Sequence, residues 1–204
     1  MKTILTVDFD IIMAPSIMIY NEYVPGLSFR ELKDKCGIYN HCKADMVHYA
    51  RLTRLLMHAF KTIPKENIHF IHNHDSVVNY VKEKVTLINI DHHHDLSYNQ
   101  DLERDQLEQL GCANWVRWLY EKDLIENYFW IKNDISIMPE KYFDFRYLEL
   151  KTLEDLNSFF DKNNVSEIII CFSEPWIPEE YYELFYLWMD LCNEQYKTHF
   201  EFED

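Results

Sequence analysis

Residues 85–97, VTLINIDHHHDLS, constrain the fold and the chemistry of this chain more than any other stretch. The first six residues are mostly apolar, which is typical of a strand buried in a parallel sheet. The next five are all metal-ligand types: Asp91, His92, His93, His94 and Asp95. In open α/β sheets, ligands bind outside the carboxyl ends of the strands, where this cluster would lie. Because Asp91, His93 and Asp95 are two residues apart, an extended backbone would point all three to one side, which predicts a metal site.

Three other apolar runs also end in acidic or histidine side chains. The runs are 3–7 (TILTV), 67–71 (NIHFI) and 167–172 (EIIICF), and the groups after them are Asp8/Asp10, His74/Asp75 and Glu174. A helix over 76–84 would connect the second run to the strand at 85, as in a parallel β-α-β unit. Residues 128–132 predict a further buried strand, and 143–150 an edge strand. Because parallel strands end at one edge of a sheet, these polar groups are expected to lie together.

Helical patterns alternate with these strands. Apolar residues recur at helical spacing over 44–60, and 152–161 begins with the start signal Thr152-x-x-Asp155. Further helices are expected over 29–35, 101–110, 115–120 and 179–192, and a loop that folds over the site over 11–26. No repeat or linker interrupts the pattern. The sequence therefore predicts one α/β domain over 1–204, a three-layer α/β/α fold with a mainly parallel sheet.

Composition narrows the function classes. A formal net charge of −15 argues against a nucleic-acid partner and mildly favours cationic substrates. Three glycines are too few for phosphate-cradling loops. Five irregularly spaced cysteines indicate reduced thiols in a cytoplasmic protein. No signal peptide is expected at the N-terminus, and no apolar run is long enough to span a membrane.

The mixture of ligand types indicates the metal. Carboxylates with a minority of histidines, and no thiolate, suit a hard divalent ion such as manganese. Several carboxylates favour bridging, so two Mn²⁺ ions are expected, about 3.5–4 Å apart. Two such ions lower the pKa of a water held between them, which predicts hydrolysis.

The same residues carry a family resemblance. Asp91-His92-His93-His94-Asp95 resembles the D-x-H-x-D signature of the ureohydrolases, the arginase and agmatinase superfamily. His74 resembles the histidine ligand that precedes that signature, and Asp8-Phe9-Asp10 resembles the D-x-D strand end of the family. The segments HNHDSVVNYV, NIDHHHDLSY and GCANWVRWLY are most similar to the small branch that includes the peptide arginases. Those enzymes convert arginine residues of a precursor peptide to ornithine and release urea.

The resemblance implies roles for individual residues. The implied ligands are His74 and Asp95 for the first ion, His93 and Asp10 for the second, with Asp91 and Asp8 bridging both. A hydroxide between the ions would attack the guanidinium carbon. Glu174 would hold the guanidinium group, since a carboxylate matches its fork of donors. Asn114 would line the catalytic cleft, although it could equally cap its helix. Trp176 is expected to contact the substrate.

The chain departs from the family pattern in two ways. In arginases and agmatinases the D-x-D strand follows the other motifs, whereas here it opens the chain. A permuted parallel sheet can accept this change, which leaves open which of the two ions Asp8 and Asp10 each bind. His92 and His94 also lie at positions of the signature where the family usually has a residue other than histidine. Either could shuttle a proton to the leaving amine, and packing or surface roles fit equally well.

Other functions remain open at this point. Asp91-His92-His93 also spells the motif of DHH-type manganese phosphoesterases, although no histidine precedes Asp8 and the motif loops hold almost no basic residues. A deacetylase with an arginase-like fold is a further alternative, but its second histidine-rich motif and its tyrosine are not identifiable. A non-catalytic, metal-dependent protein could bind a peptide through residues 11–29 and Trp176.

The expected partner is an arginine-containing precursor peptide or a small guanidino compound. The chain leaves little sequence for helices that would close a pocket, so an open cleft for an arginine side chain on a peptide is favoured. Neither a nucleic acid nor a membrane is expected as a partner. The sequence leaves association into a homo-oligomer open.

Overall fold

A six-stranded sheet forms the centre of the fold, and each pair of neighbouring strands is parallel. The computed structural model describes residues 1–13, 43–96, 110–134, 136, 138, 145–150, 155–174 and 177–196. The strands are β1 (Lys2–Asp8), β2 (Ile68–Ile71), β3 (Val85–Ile90), β4 (Ile125–Lys132), β5 (Arg146–Glu149) and β6 (Glu167–Cys171). Across the sheet they follow the order β2-β6-β1-β3-β4-β5. All six predicted strands are confirmed, with β5 at an edge as expected.

Helices lie between the strands in the chain. The α-helices are α1 (Met46–Thr62), α2 (Trp115–Glu121), α3 (Leu156–Lys162) and α4 (Tyr182–Tyr196). Short 3₁₀ helices cover Phe9–Met13, Lys65–Asn67, His74–Asn79 and Glu179–Tyr181. In α1, Asp45 is the N-cap, and its side chain accepts the backbone N–H groups of Val47 and His48. Among the described residues, no helix is both long and apolar enough to cross a membrane.

Each face of the sheet has its own apolar core. Successive strand residues point to opposite faces, so neighbours such as Ile4 and Leu5 enter different cores. The face of Leu5 packs against α1, α3 and α4, with residues such as Leu52, Phe160 and Trp188. The face of Ile4 packs against α2, through residues such as Trp115 and Val116. The sheet is therefore the middle of three layers, which confirms the predicted three-layer α/β architecture.

Two local predictions were wrong. Instead of an α-helix over 76–84, the chain forms the 3₁₀ helix His74–Asn79, because β-branched Val77 and Val78 and then Asn79 are poor α-helix formers. The start signal Thr152-x-x-Asp155 predicted that Asp155 is the third residue of the helix, and this was wrong. Asp155 is itself the N-cap of α3, and its carboxylate accepts the N–H of Ser158.

Several other predictions lie outside the described residues. These are the helix over 29–35, most of the helix over 101–110, residue Thr152, and the loop over 11–26 beyond Met13. Residues 11–13 belong to the buried 3₁₀ helix Phe9–Met13, directly after β1.

The strand order creates a crevice at the carboxyl end of β1. From β1 the chain passes through α1 to β2 on one side, and it then returns to β3 on the other side. A point where successive connections leave in opposite directions is where ligands bind in open α/β sheets. The polar segments after β1, β2, β3 and β6 all open at this edge.

Candidate metal centre

One nitrogen atom, Nδ1 of His74, lies against three carboxylates from two other segments. Its distances are 3.0 Å to Oδ2 of Asp8, 3.2 Å to Oδ2 of Asp91 and 3.3 Å to Oδ2 of Asp95. A single N–H cannot donate to three acceptors with good geometry. Ligand atoms placed about 2.1 Å from one divalent ion are separated by roughly 3.0–3.4 Å in tetrahedral or octahedral geometry. The spacing of Asp8, His74 and Asp91 therefore suits a bound cation, whereas the predicted ligand Asp95 lies against His74 without belonging to this group.

A second set of ligand atoms lies beside the first. Nδ1 of His93 is 3.1 Å from Oδ2 of Asp10 and 3.7 Å from Oδ1 of Asp91. The other oxygen of Asp10, Oδ1, is buried and has no hydrogen-bond partner in the described structure. A buried carboxylate oxygen without a donor is unfavourable unless a cation binds it. Asp8, His74 and Asp91 could hold a metal ion, and Asp10, Asp91 and His93 form a second such group.

Asp91 belongs to both groups through different oxygens. Its Oδ2 faces His74, whereas its Oδ1 faces His93 and accepts the N–H of that residue at 2.8 Å. Asp8 is placed differently. Its Oδ2 faces His74 and accepts the hydroxyl of Ser173 at 2.8 Å, and its Oδ1 accepts the N–H of Asp10 at 3.2 Å. Asp91 is thus the carboxylate that spans the two groups, while Asp8 faces the first.

The electrostatics of the cluster favour a cation. Burial, followed by repulsion from Asp8 and Asp91, raises the pKa of Asp10 well above its ordinary value. Burial and the charge of Asp91 likewise raise the pKa of Asp95 to about 7. Burial acts to lower the pKa of His74, but Asp8, Asp91 and Asp95 outweigh it and the pKa is raised. Without metal the cluster therefore takes up protons, and divalent ions would replace them.

The ligands converge through a bent backbone, so the predicted extended alternation over 91–95 was wrong. The ladder between β3 and β4 ends with the N–H of Asp91, which donates to the carbonyl of Ile131. Residues 91–93 then bend, and Asp95 has a left-handed backbone with φ of 52°. Aspartate tolerates this conformation better than bulkier residues do. The indole N–H of Trp115 donates to Oδ2 of Asp95 at 2.6 Å and holds it towards His74.

The other two histidines of the cluster are buried, so neither has the surface role left open above. Burial, together with the nearby His93, lowers the pKa of His92 to about 3 and that of His94 to about 4. Nδ1 of His92 lies 3.2 Å from Oδ1 of Asn133. Nδ1 of His94 accepts the N–H of Leu96, and its ring packs edge-on against Trp130. Both rings are neutral at physiological pH and contribute to packing.

Two of the predicted substrate-contacting residues, Glu174 and Asn114, belong to neither ligand group. Glu174 follows β6, next to Ser173, and its Oε1 accepts the hydroxyl of Tyr182 at 3.1 Å. Asn114 is the N-cap residue of α2, but its side chain does not cap the helix. Its Oδ1 accepts the N–H of Gly111 at 2.9 Å instead. Trp176 lies outside the described residues.

Three residues that support the ligands were not predicted. Ser173 holds Asp8, Trp115 holds Asp95, and Asn89 donates to Oδ2 of Asp91 at 3.3 Å. Asn89 had a visible signal, because it is the polar residue inside the otherwise apolar end of β3. Ser173 and Trp115 had none, since an ordinary serine after a strand and a tryptophan in a helix do not indicate a metal site.

Comparison with known proteins adds no relative to this description. The chain matches no protein-family model, no curated protein and no solved structure at a significant level.

Proposed function

We propose that this chain is a binuclear manganese-dependent hydrolase that cleaves the guanidinium group of an arginine within a peptide, giving ornithine and urea. The observation that carries the proposal is the placement of Asp91, which turns one oxygen to each of two ligand groups. The resemblance of Asp8-Phe9-Asp10, His74 and the DHHHD segment to ureohydrolase motifs supplies the reaction class. Despite the permuted motif order, the three motifs follow strands of one parallel sheet and lie at the same edge, with β6 between β2 and β1.

We assign each residue of the cluster a role in this reaction. The first ion would be held by Asp8, His74, Asp91 and Asp95, and the second by Asp10, Asp91 and His93. Bound manganese would lower the pKa of a water so that hydroxide forms near neutral pH. The four carboxylates balance the charge of two divalent ions. Ser173 and Trp115 fix Asp8 and Asp95 with hydrogen bonds, so that these ligands are oriented before metal arrives.

Glu174 is proposed to bind the guanidinium group. It is half-buried at the same sheet edge, and the Tyr182 hydroxyl orients one oxygen of its carboxylate. A carboxylate forms charge-assisted hydrogen bonds with the planar fork of donors that an arginine side chain presents. The net charge of −15 also favours a cationic peptide through long-range attraction.

A urea assay tests the reaction. Manganese-loaded protein is incubated with arginine-containing peptides, free arginine and agmatine, and urea is measured together with the mass loss of the peptide. We expect urea from the peptide, faster than from the two small compounds. If no guanidino substrate yields urea while a phosphodiester is cleaved, the DHH phosphoesterase is the correct function. Two bound ions with neither activity would favour a metal-dependent binding protein.

The role of Glu174 has a separate test. Glu174→Gln keeps the shape of the side chain and removes its charge. We expect unchanged manganese content and a peptide KM raised by about tenfold or more, since a charge-assisted bond contributes roughly 1.5–3 kcal/mol. Glu180→Gln, an exposed acid on the following 3₁₀ helix, is the matched control. An unchanged KM in Glu174→Gln would contradict the proposed role.

A further inference from the structure

Asn89 is a fully buried amide near the end of β3. Its Oδ1 accepts the hydroxyl of Thr6 on β1 at 2.6 Å. Its Nδ2 donates to Oδ2 of Asp91 at 3.3 Å and to the phenol oxygen of Tyr128 on β4, also at 3.3 Å. Both polar atoms of the amide are therefore satisfied, and the network joins three neighbouring strands.

The hydrogen bonds fix which end of the amide faces the metal centre. The Tyr128 hydroxyl donates to the backbone carbonyl of His94 at 2.9 Å, and a carbonyl can only accept. The phenol oxygen is thus left as an acceptor, so it requires the NH₂ group of Asn89. The flipped amide would turn its oxygen towards the Asp91 carboxylate, which also only accepts. One orientation satisfies every partner.

This network acts on the carboxylate that the two ligand groups share. Oδ2 of Asp91 accepts from Asn89, while Oδ1 accepts the backbone N–H of His93 at 2.8 Å. The main-chain carbonyl of Asp91 accepts the indole N–H of Trp130 at 2.9 Å. Two donors on opposite oxygens prevent the carboxylate from rotating about its Cβ–Cγ bond. The amide of Asn89 therefore sets the plane in which Asp91 can bridge.

We propose that Asn89 is a positioning residue that holds the Asp91 carboxylate across two metal ions, with Thr6 and Tyr128 holding the Asn89 amide in turn. This inference rests on the two-ion centre proposed above, but not on the reaction that the centre performs. Partners of this kind orient a ligand before the metal binds, and their loss weakens metal affinity by about 10- to 100-fold.

The test measures metal pairing rather than activity. Asn89→Leu has a similar volume and removes all three hydrogen bonds of the amide. Manganese binding is followed by calorimetry, and the spin-coupled signal of the ion pair by electron paramagnetic resonance. We expect the second ion to bind about 10- to 100-fold more weakly and the coupled signal to be lost. Thr86→Val, on the same strand, is the control, because the Thr86 hydroxyl bonds to Asn127 instead.

A second variant tests the proposal if Asn89→Leu does not fold, which circular dichroism would show. Thr6→Val leaves Nδ2 of Asn89 in place but removes the donor that fixes the other end of the amide. We expect a smaller shift in the same direction, both in the affinity for the second ion and in the coupled signal. Folded Asn89→Leu with two ions at wild-type affinity and an unchanged signal would overturn the proposal. If that variant does not fold, an unchanged signal in Thr6→Val overturns it.

The behaviour of the unmodified protein separates this inference from the proposed function. Two coupled ions without urea release would overturn the hydrolase and leave the role of Asn89 standing. Fewer than two ions would overturn both.

Discussion

The two oxygens of Asp91 have different neighbours, and this difference gives the residue its importance. One oxygen lies 3.2 Å from His74 and the other 3.7 Å from His93. Burial acts to raise the pKa of Asp91, but hydrogen bonds from these two histidines outweigh it and hold the pKa well below its usual range. The carboxylate is therefore ionised before metal binds, unlike those of Asp10 and Asp95.

Replacing Asp91 by Asn tests whether one residue serves both ions. The amide keeps the shape but loses the charge, so we expect manganese content to fall from two ions per chain to one or none, with urea release abolished. Elemental analysis of the purified protein gives the content. Asp190→Asn, at an exposed position on α4, is the control and should retain both ions. Two retained ions in Asp91→Asn would show that the ligand assignment is wrong.

Metal binding should strengthen as pH rises from 6 to 8. In the metal-free protein, Asp95 has a pKa of about 7, so at pH 6 most of its carboxyl groups carry a proton that the metal must displace. Calorimetry in buffers of different ionisation enthalpy measures the protons released. Because Asp95 loses its proton between these two pH values, we expect more protons to be released at pH 6 than at pH 8. Affinity and proton release that do not vary with pH would contradict this assignment.

For single residues, the sequence could predict the metal ligands but not the residues that hold those ligands by hydrogen bonds. Asp8, Asp10, His74 and the DHHHD segment follow apolar runs, and a parallel sheet brings such positions to one edge. The hydrogen bond from Trp115 to Asp95 depends on where α2 packs, and the left-handed backbone of Asp95 depends on how the β3–β4 ladder ends. Neither depends on local sequence, so only the folded chain reveals them.

At the scale of elements, β6 is held to β1 and β2, the strands on either side of it, by ion pairs as well as by backbone hydrogen bonds. Glu167, its first residue, binds Lys2 of β1 and lies 3.5 Å from His69 of β2. Burial acts to raise the pKa of Glu167, but the bonds from His69 and Lys2 outweigh it and lower the pKa. The ionised carboxylate therefore stabilises the β2-β6-β1 half of the sheet.

The stability that Glu167 contributes should depend on pH. Because its pKa is lower in the folded protein, the contribution is present above the unfolded value of about 4.3 and is lost as pH falls through the folded value. We expect Glu167→Gln to lower the free energy of unfolding by about 1–2 kcal/mol at pH 7 and by much less at pH 3. Urea denaturation at both pH values measures this. An equal loss at both would contradict the ionic contribution.

The elements themselves were largely predictable, with one informative exception. Buried strands such as β3 and β6 consist of apolar, β-branched residues, and α1 has a regular helical period, so local sequence indicates them directly. The connection from β2 to β3 was expected to contain an α-helix. Its residues form a 3₁₀ helix, and that tighter turn places His74 at the start of the segment, facing Asp8.

At the scale of the whole molecule, four buried aspartates at one edge of the sheet oppose folding until a cation balances them. Ligands that bind the folded state stabilise it by about 2.7 kcal/mol at 100 times their Kd. For a chain of this size that shifts Tm by roughly 5–10 °C. We therefore expect a chelator to lower Tm by this amount and manganese to restore it.

The control for this experiment is the Asp91→Asn variant. Its Tm should rise less with manganese than that of the unmodified protein, because its ligand set is incomplete. An unmodified protein whose Tm does not respond to chelator or manganese would show that the cluster binds no stabilising ion.

The strand order also determines when a metal centre can exist during biosynthesis. β1 is made first, yet its neighbours in the sheet are β3 and β6, and among the described strands β6 is the one that lies between β1 and β2. Until residues 167–171 leave the ribosome, the strands that carry Asp8 and His74 share no neighbour to hold them side by side. A nascent chain would thus carry Asp8, His74 and Asp91 well before the sheet could bring them together around an ion. We therefore expect the first group to load its ion only in the finished protein, and a chain cut before β6 to keep Asp8, His74 and Asp91 without the arrangement that would hold an ion.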